Sequence, residues 1–235
     1  MRCMRWEGSI GGICELVIRG WRLGEKSNPE HFPLPQGQNT FCSMMPDIII
    51  EDKSFTKFTA ADVTGAKRTF ENCKFISSDL SYADLSGMVF IDCYFEDCNL
   101  WLIKLSETSL QNIQFKDCKL SGADFSKSQD FLFEVSFDNC ILDNAIFYKK
   151  KNKGAKFTDC SMVETDFTEA DLTDVQFNNC NLNRAFFERT NLKNADFRTS
   201  FNFIIDPDTN NLKKARFSVH GLPGLLAKYD IRIEG

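Results

Sequence analysis

From Phe70 onward the apolar positions of this chain fall on every fifth residue. Phe70, Phe75, Leu80, Leu85, Phe90, Phe95, Leu100, Leu105, Leu110, Phe115, Leu120 and Phe125 form an unbroken series of anchors. A helix repeats at about 3.6 residues and a strand at about 2, so neither produces this spacing. The pattern is an internal repeat and is read as one before any element is assigned. The series slips by two residues after Phe125 and resumes as Leu132, Phe137, Leu142 and Phe147. It continues from Phe157 through Met162, Phe167, Leu172, Phe177, Leu182, Phe187, Leu192 and Phe197, and returns at Leu212 and Phe217. Two residues before many anchors sits a smaller inward residue, such as Cys73, Ala83, Cys93, Ala123, Ala170, Ala185, Ala195 or Ala215. Between the two stands Asp or Asn, as at Asp79, Asp84, Asn99, Asp124, Asp166, Asp171, Asn181, Asn191, Asp196 and Asn211.

The clearest copies, EADLT, NADFR, YADLS and GADFS, resemble the A(D/N)LXX motif of the pentapeptide-repeat family. The resemblance covers about two-thirds of the chain. It implies an all-β fold: a right-handed, quadrilateral, parallel β-helix in which each pentapeptide makes one side and four make a coil. In such a coil residues twenty apart must stack. Phe55, Phe75, Phe95 and Phe115 are followed, after the slip, by Phe137, Phe157, Phe177, Phe197 and Phe217. Leu80, Leu100, Leu120, Leu142, Met162 and Leu182 make the next face, and its small positions carry Cys98, Cys118, Cys140, Cys160 and Cys180. At an inter-strand spacing of about 4.8 Å, about eight coils give a rod on the order of 40 Å long.

The expected boundaries are a non-repeat, poorly ordered extension over 1–44, the β-helix over 45–217 and a cap over 218–235. The ends of a solenoid expose unpaired backbone and apolar surface. Pro223 suits the opening of a short helix that turns Leu222, Leu225, Leu226 and Tyr229 toward the last coil, after which Ile231 and Ile233 alternate as in a strand. Family members with such a tail often pair end to end, so the resemblance implies a homodimer through this end.

Composition sharpens the picture. The 23 Phe against 4 Tyr and 3 Trp call for a dry interior with few polar handles. The 10 Cys raise the question of a secreted disulfide scaffold, but Glu15 and Arg19 interrupt the only apolar run near the N-terminus. No stretch approaches the roughly 18 apolar residues of a membrane span. The expectation is a cytoplasmic chain with reduced thiols and no membrane contact.

The cysteine column invites a zinc or disulfide reading. There is no Cys-x-x-Cys pair, however, and His31 and His220 lie outside the repeats. Parallel side chains in neighbouring coils make poor disulfide geometry, whereas a small apolar residue is what the inward position needs. With only 2 His, a Ser/His/Asp or Cys/His arrangement has no base. Glu164, Asp166, Glu169, Asp171 and Asp174 could supply paired carboxylates, but a packed rod offers no cleft to desolvate them. They read instead as a solvated face, with Asp and Asn bonding backbone at the corners. No catalytic, metal or cofactor site is expected, and the chain reads as non-enzymatic.

The fourth face breaks the pattern. It runs Phe70, Phe90, Leu110, Leu132, Asn152, Leu172, Leu192 and Leu212, and its small positions include Asp130 and Lys150. Neither belongs in a dry core. The two-residue insertion falls here, and YKKKNKG follows one coil later. The expectation is a pair of adjacent loops carrying Lys127, Gln129, Asp130, Lys149, Lys150, Lys151 and Lys153. They are read either as a partner-binding site or as a tolerated decoration. Between Phe197 and Leu212, Asn202 and Pro207 occupy anchor positions, and an outward bulge is expected.

The functional expectation is a protein-interaction rod with a protein partner and no direct nucleic-acid contact. The alternative comes from resemblance to the quinolone-resistance pentapeptide proteins. It implies a DNA-mimicking rod that binds a type II topoisomerase, DNA gyrase or topoisomerase IV. From Met45 onward 23 basic residues stand against 29 acidic ones, modest for a duplex mimic. A continuous acidic stripe would favour the mimic, and a mosaic of charges the general rod.

Overall fold

The structure is a computed structural model and describes residues 48–63 and 67–232. The extension over 1–44 and Ile233 lie outside the described residues.

Two parallel sheets form adjacent sides of a prism. The shorter contains β1 (Ile48–Glu51), β3 (Arg68–Glu71), β5 (Val89–Ile91) and β7 (Ser109–Gln111). The longer contains β2 (Ser54–Thr56), β4 (Lys74–Ile76), β6 (Tyr94–Glu96), β8 (Ile113–Lys116), β9 (Val135–Asp138), β10 (Lys156–Thr158) and β11 (Gln176–Asn178). Pairing joins residues twenty apart, as in Phe75↔Phe95, except across the insertion, where Phe115 pairs with Phe137. The other two sides are too short for named strands and are held by single parallel bridges, such as Asp79↔Asn99↔Lys119↔Ile141 and Asp124↔Ile146↔Asp166↔Phe186. The seven strands of the longer sheet step through six turns, and the bridges Gln176↔Asp196 and Asp196↔Arg216 carry that side two turns further. This is the four-sided β-helix that the five-residue spacing and its resemblance imply. A four-residue helix, α1 (Ala60–Val63), replaces the first side of the Leu face and buries Val63.

The Phe column is a continuous stack. Neighbouring rings from Phe55 to Phe217 lie 4.6–5.2 Å apart at interplanar angles of 7–26°. A second stack on the opposite side, Phe125, Phe147, Phe167 and Phe187, meets the first edge-on, with Phe147 and Phe157 at 6.1 Å and 90°. Offset stacking along each column and edge-to-face contact across the prism satisfy the ring quadrupoles in both directions.

The corners explain the polar part of the repeat. The second residue after nearly every anchor is left-handed, mostly without glycine, as at Asn72, Ser77, Tyr82 and Asp92. The Asp or Asn just before the anchor closes the turn: Asp79 Oδ1 accepts the N–H of Ser81 at 3.0 Å, and Asp166 Oδ1 that of Thr168 at 2.8 Å. The same bond to the residue two ahead is made by Asp84, Asn99, Asp124, Asp171, Asn181, Asn191, Asp196 and Asn211. Such Asx turns lower the cost of a tight corner.

Two stretches differ from expectation. Over 200–211 the chain does not simply bulge. Phe203 and Ile205 turn inward in place of Asn202 and Pro207, while Phe201, Asn202 and Ile204 face solvent and the longest exposed run, 207–209, lies beyond them. At the C-terminus, a 3-10 turn (Val219–Gly221), α2 (Leu222–Leu226) and a second 3-10 turn (Ala227–Tyr229) follow. Leu225 packs on the core and Leu226 is half-buried, whereas Leu222, Tyr229 and Ile231 are exposed, and Ile231 lies in no strand. A Cβ on Gly224 would stand 2.1 Å from Phe203 O, so glycine permits α2 to lie this close to the inward-turned segment.

Candidate interaction surface

The insertion lies between Gln129, whose N–H still reaches Thr108 O at 2.9 Å, and Val135, already paired with Ile113 in the shifted register. The intervening residues exceed what one side of the prism holds, so the chain projects. Phe131 is 71% and Leu132 61% exposed, while Phe133 turns in, its ring 6.3 Å from that of Phe125. Leu132 is therefore not an anchor. Asp130 is not an inward residue either. Its side chain is exposed, and Ser128 fills the small inward position, donating to Phe125 O at 2.6 Å.

The second loop, expected over 149–153, does not form. Lys149 N–H donates to Thr168 O, Gly154 N–H to Thr173 O, and Lys151 bridges Asp171, so the coil winds on without interruption. Lys150 points into the prism and is 1% exposed. Its Nζ donates to Ser128 O at 2.5 Å, Gln129 O at 3.3 Å and Asp130 Oδ1 at 2.8 Å, and stands 4.7 Å from the centre of the Phe133 ring. The insertion takes these carbonyls out of register with the coil above, and a long cationic side chain reaches down to satisfy them. Asn152, equally buried, bonds both backbone groups of Val135. Of the seven expected loop residues, Lys127, Gln129 and Asp130 accompany the projection, and Lys150 joins them from inside. Lys151 is exposed on the regular coil, as are Lys149 and Lys153, which pair with Glu169 at 3.5 Å and Asp171 at 3.1 Å.

Charge on the rod alternates in sign. Glu96 pairs with Lys116 at 3.1 Å, Glu164 with Arg184 at 2.9 Å, and Glu169 with Arg189 at 2.9 Å, each pair joining successive coils. The Lys149 and Arg189 contacts hold the Glu169 carboxyl below its usual range, the hydrogen bond from Arg189 contributing most. Elsewhere an acid alternates with an amide. Asn72 donates to Asp52, Asn112 to Asp92, Asn139 to Asp117, Asn179 to Asp159 and Asn194 to Asp174, all at 2.6–2.7 Å. The result is a mosaic and not an acidic stripe. The twenty-residue register applied to the Asp and Asn positions would have exposed this ladder in the sequence.

The cysteine column is interior. Cys98, Cys118, Cys140, Cys160 and Cys180 are buried, as are Cys73 and Cys93, and all seven are free thiols. Cys98, Cys118, Cys140 and Cys180 each donate to the carbonyl of the Phe anchor one coil earlier, for example Cys98 Sγ to Phe75 O at 3.4 Å. Ser200 at the top of the column donates likewise to Phe177 O at 2.8 Å. Hydrogen bonds between neighbouring thiols push Cys93, Cys118 and Cys160 up, with burial adding to the shift, and hold their partners Cys73, Cys98, Cys140 and Cys180 down. No group of three or more His, Cys, Asp or Glu is placed to hold a metal ion among the described residues.

Two further exposed apolar areas lie apart from the expected loops. Tyr82 and Trp101 pack edge-on at 4.9 Å with Leu102 beside them. Next to them a shallow groove of about 410 Å³ runs between Asn99, Lys119 and Ile141. The sequence signal is the placement of Tyr82 and Leu102 at corners that elsewhere are mainly polar or glycine. The other area is the C-terminal end, where Val219, Leu222, Tyr229 and Ile231 are exposed.

The model for the Pentapeptide repeat region matches residues 68–129 and 131–201, and the two segments divide inside the insertion. The chain belongs to the pentapeptide-repeat family. Among solved structures, a trypsin-treated, singly substituted form of QnrB1, described as a plasmid-mediated fluoroquinolone resistance protein, is 18% identical. The alignment covers 80% of this chain and 100% of that one at a TM-score of 0.53. At this identity the likeness speaks for the fold alone. Full-length QnrB1 aligns at 16% identity over 78% of this chain and 100% of its own, with a TM-score of 0.43. The pentapeptide-repeat protein Rfr23 from the cyanobacterium Cyanothece 51142 aligns at 13% over 60% of this chain and 86% of its own, with a TM-score of 0.16. No curated protein matches the chain. No helix among the described residues is long and apolar enough to cross a membrane.

Proposed function

We propose that this chain is a non-enzymatic interaction rod whose partner is a protein, and that the projection over 129–134 is a principal contact. The observation that carries this reading is the exposure of Phe131 and Leu132, side by side, on a segment anchored from within by a fully buried lysine. Apolar side chains held rigidly in water lose little freedom on docking, which is how a small patch contributes disproportionately to affinity. The lysines of the neighbouring coil are accounted for otherwise: Lys150 is internal, and Lys149 and Lys153 are paired along the rod. At the C-terminal end, Leu222, Tyr229 and Ile231 are offered to a second copy of the chain, giving an end-to-end homodimer.

Affinity capture with the intact chain and with a Phe131→Ser/Leu132→Ser variant tests the principal contact. The recovered protein is then purified and titrated against both. The intact chain is expected to bind at least tenfold more tightly, about 1.4 kcal/mol. Equal affinity would remove the projection from the interface.

The second reading is engagement of a type II topoisomerase, as the resemblance to quinolone-resistance proteins implies. The alignment along the full length of the trypsin-treated QnrB1 rod is what keeps it open. The alternation of acids with amides and bases weighs against duplex mimicry. A gyrase supercoiling assay with and without a fluoroquinolone decides it: unchanged inhibition at micromolar protein excludes the reading.

A further inference from the structure

We infer that Lys150 and Asn152 are positioning residues for the projection, and that the insertion, the buried lysine and the buried asparagine form one interdependent unit. The inference rests on the proposed interface for the purpose of the unit but not for its existence.

At the inward positions equivalent to Lys150 the other coils hold Met88, Thr108, Ser128, Ala170, Thr190 and Asn210, and those equivalent to Asn152 hold Phe90, Leu110, Leu172 and Leu192. The polar pair appears only in the coil directly above the insertion. Each donor and acceptor has a counterpart that the insertion created. Lys150 Nζ serves Ser128 O and Gln129 O, and reaches outward to Asp130 Oδ1. Asn152 serves the N–H and C=O of Val135, the residue at which the chain rejoins the ladder. The two side chains thus hold both ends of the projection, Lys150 its entry and Asn152 its exit. A buried cation is tolerated only where its hydrogen bonds are filled, and here they are filled by the inserted segment itself.

The unit can be dismantled in the sequence. Deleting Gln129 and Asp130 places Leu132 five residues after Phe125 and five before Phe137, restoring the unbroken series. In that background Lys150 loses Gln129 O and Asp130, and Asn152 has no displaced strand to complete. The residues fitted to a regular coil are Thr at 150 and Leu at 152.

Four chains test the inference: the parent, Lys150→Thr/Asn152→Leu, the deletion of 129–130, and all changes combined. Chymotrypsin cleavage within 129–134 reports the projection, and cleavage near Tyr229 serves as an internal control. Lys150→Thr/Asn152→Leu is expected to raise cleavage at the projection by about tenfold or more, with the control site unchanged. The deletion alone is expected to melt several degrees below the parent, at about 2–4 °C per lost kcal/mol. The combined chain is expected to melt at or above the parent and to resist cleavage there. Unchanged cleavage in the first variant, or a combined chain melting below the deletion alone, would overturn the inference. Partner affinity unaffected by Phe131→Ser/Leu132→Ser, with cleavage as expected, would sink the interface and leave the unit standing.

Discussion

Asn152 completes a β-bridge with a side chain. Its Oδ1 accepts the Val135 N–H at 3.2 Å and its Nδ2 donates to Val135 O at 3.0 Å, across seventeen residues of sequence. A carboxamide presents an N–H donor and a C=O acceptor side by side as a peptide group does, so it stands in for the missing backbone partner where the register shifts.

Asn152→Asp therefore removes the donor to Val135 O and places a carboxylate in a buried site. The expected loss is about 3 kcal/mol or more at neutral pH, larger than for a surface substitution. Denaturant unfolding of the two chains measures it, and a midpoint indistinguishable from the parent would contradict the bridge.

The Phe column allows a blunter perturbation. Phe157 is fully buried, stacked at 5.2 Å on Phe137 and 5.1 Å on Phe177. Phe157→Asp puts an unpaired charge between two rings, and the chain is expected to lose its folded circular-dichroism signal at room temperature. In a solenoid each coil is supported only by its neighbours, so the damage spreads along the rod. A native spectrum and melting point would rule out the stack.

The cysteines are expected to be replaceable by serine and not by a larger apolar residue. Ser200 already fills the position above Cys180 and makes the same bond to the anchor carbonyl below, Phe177 O. Cys140→Ser keeps a donor for Phe115 O and should shift stability by about 1 kcal/mol or less, whereas Cys140→Leu overpacks the column at about 1–3 kcal/mol. Thermal melting separates them. Native-state labelling with iodoacetamide should leave these thiols unmodified, and rapid alkylation of Cys140 would refute the closed column.

How much of this is readable in the sequence depends on which force sets each feature. The four columns are legible because burial of a five-residue repeat leaves anchors such as Phe115 and Phe137 no alternative side. The insertion is legible as a count but not as a place. Leu132 and Phe133 are adjacent and both apolar, and the five-residue spacing selects Leu132. The structure selects Phe133 because the ladder through Gln129 and Val135 fixes where the extra residues leave the prism. By its residue type Lys150 signals a loop, since a lone lysine in a core is unfavourable. The carbonyls that satisfy it become available only through the displaced backbone, which no pattern of side chains encodes. The projecting loop is half visible in the sequence and the unit that holds it is not.

Asp196 gives a dependence on pH. Arg198 hydrogen-bonds its carboxylate at 2.8 and 3.0 Å, which contributes most to holding it below the ordinary range, and Arg216 lies 2.9 Å away. The side chain is only 12% exposed. A carboxyl depressed on folding adds stability above its unfolded value of about 3.9, and that contribution is lost as pH falls through the folded value. Asp196→Asn should therefore cost about 1–2 kcal/mol at pH 7, and its difference from the parent should shrink below about pH 4. A difference constant from neutral pH to about pH 3 would show that the ion pairs are not its cause.

At the C-terminal end the rod offers apolar surface at a terminus of the stack. Phe217 is the last ring of its column, and above it α2 covers the coil through Leu225 while Leu222, Tyr229 and Ile231 face solvent. Lys228 is fixed against Asp206 at 2.6 Å and against Asp208, which holds its ammonium above the usual range, the Asp206 hydrogen bond first. That clasp joins the cap to the preceding coil. If a second copy covers them, Leu222→Asp/Tyr229→Asp should convert a dimer to a monomer in sedimentation equilibrium with little change in melting at low concentration. Lys228→Ala should weaken the dimer by loosening the cap, without adding charge to the interface. A parent chain that sediments as a monomer at tens of micromolar would refute the end-to-end pairing, and the exposed end would then need another partner.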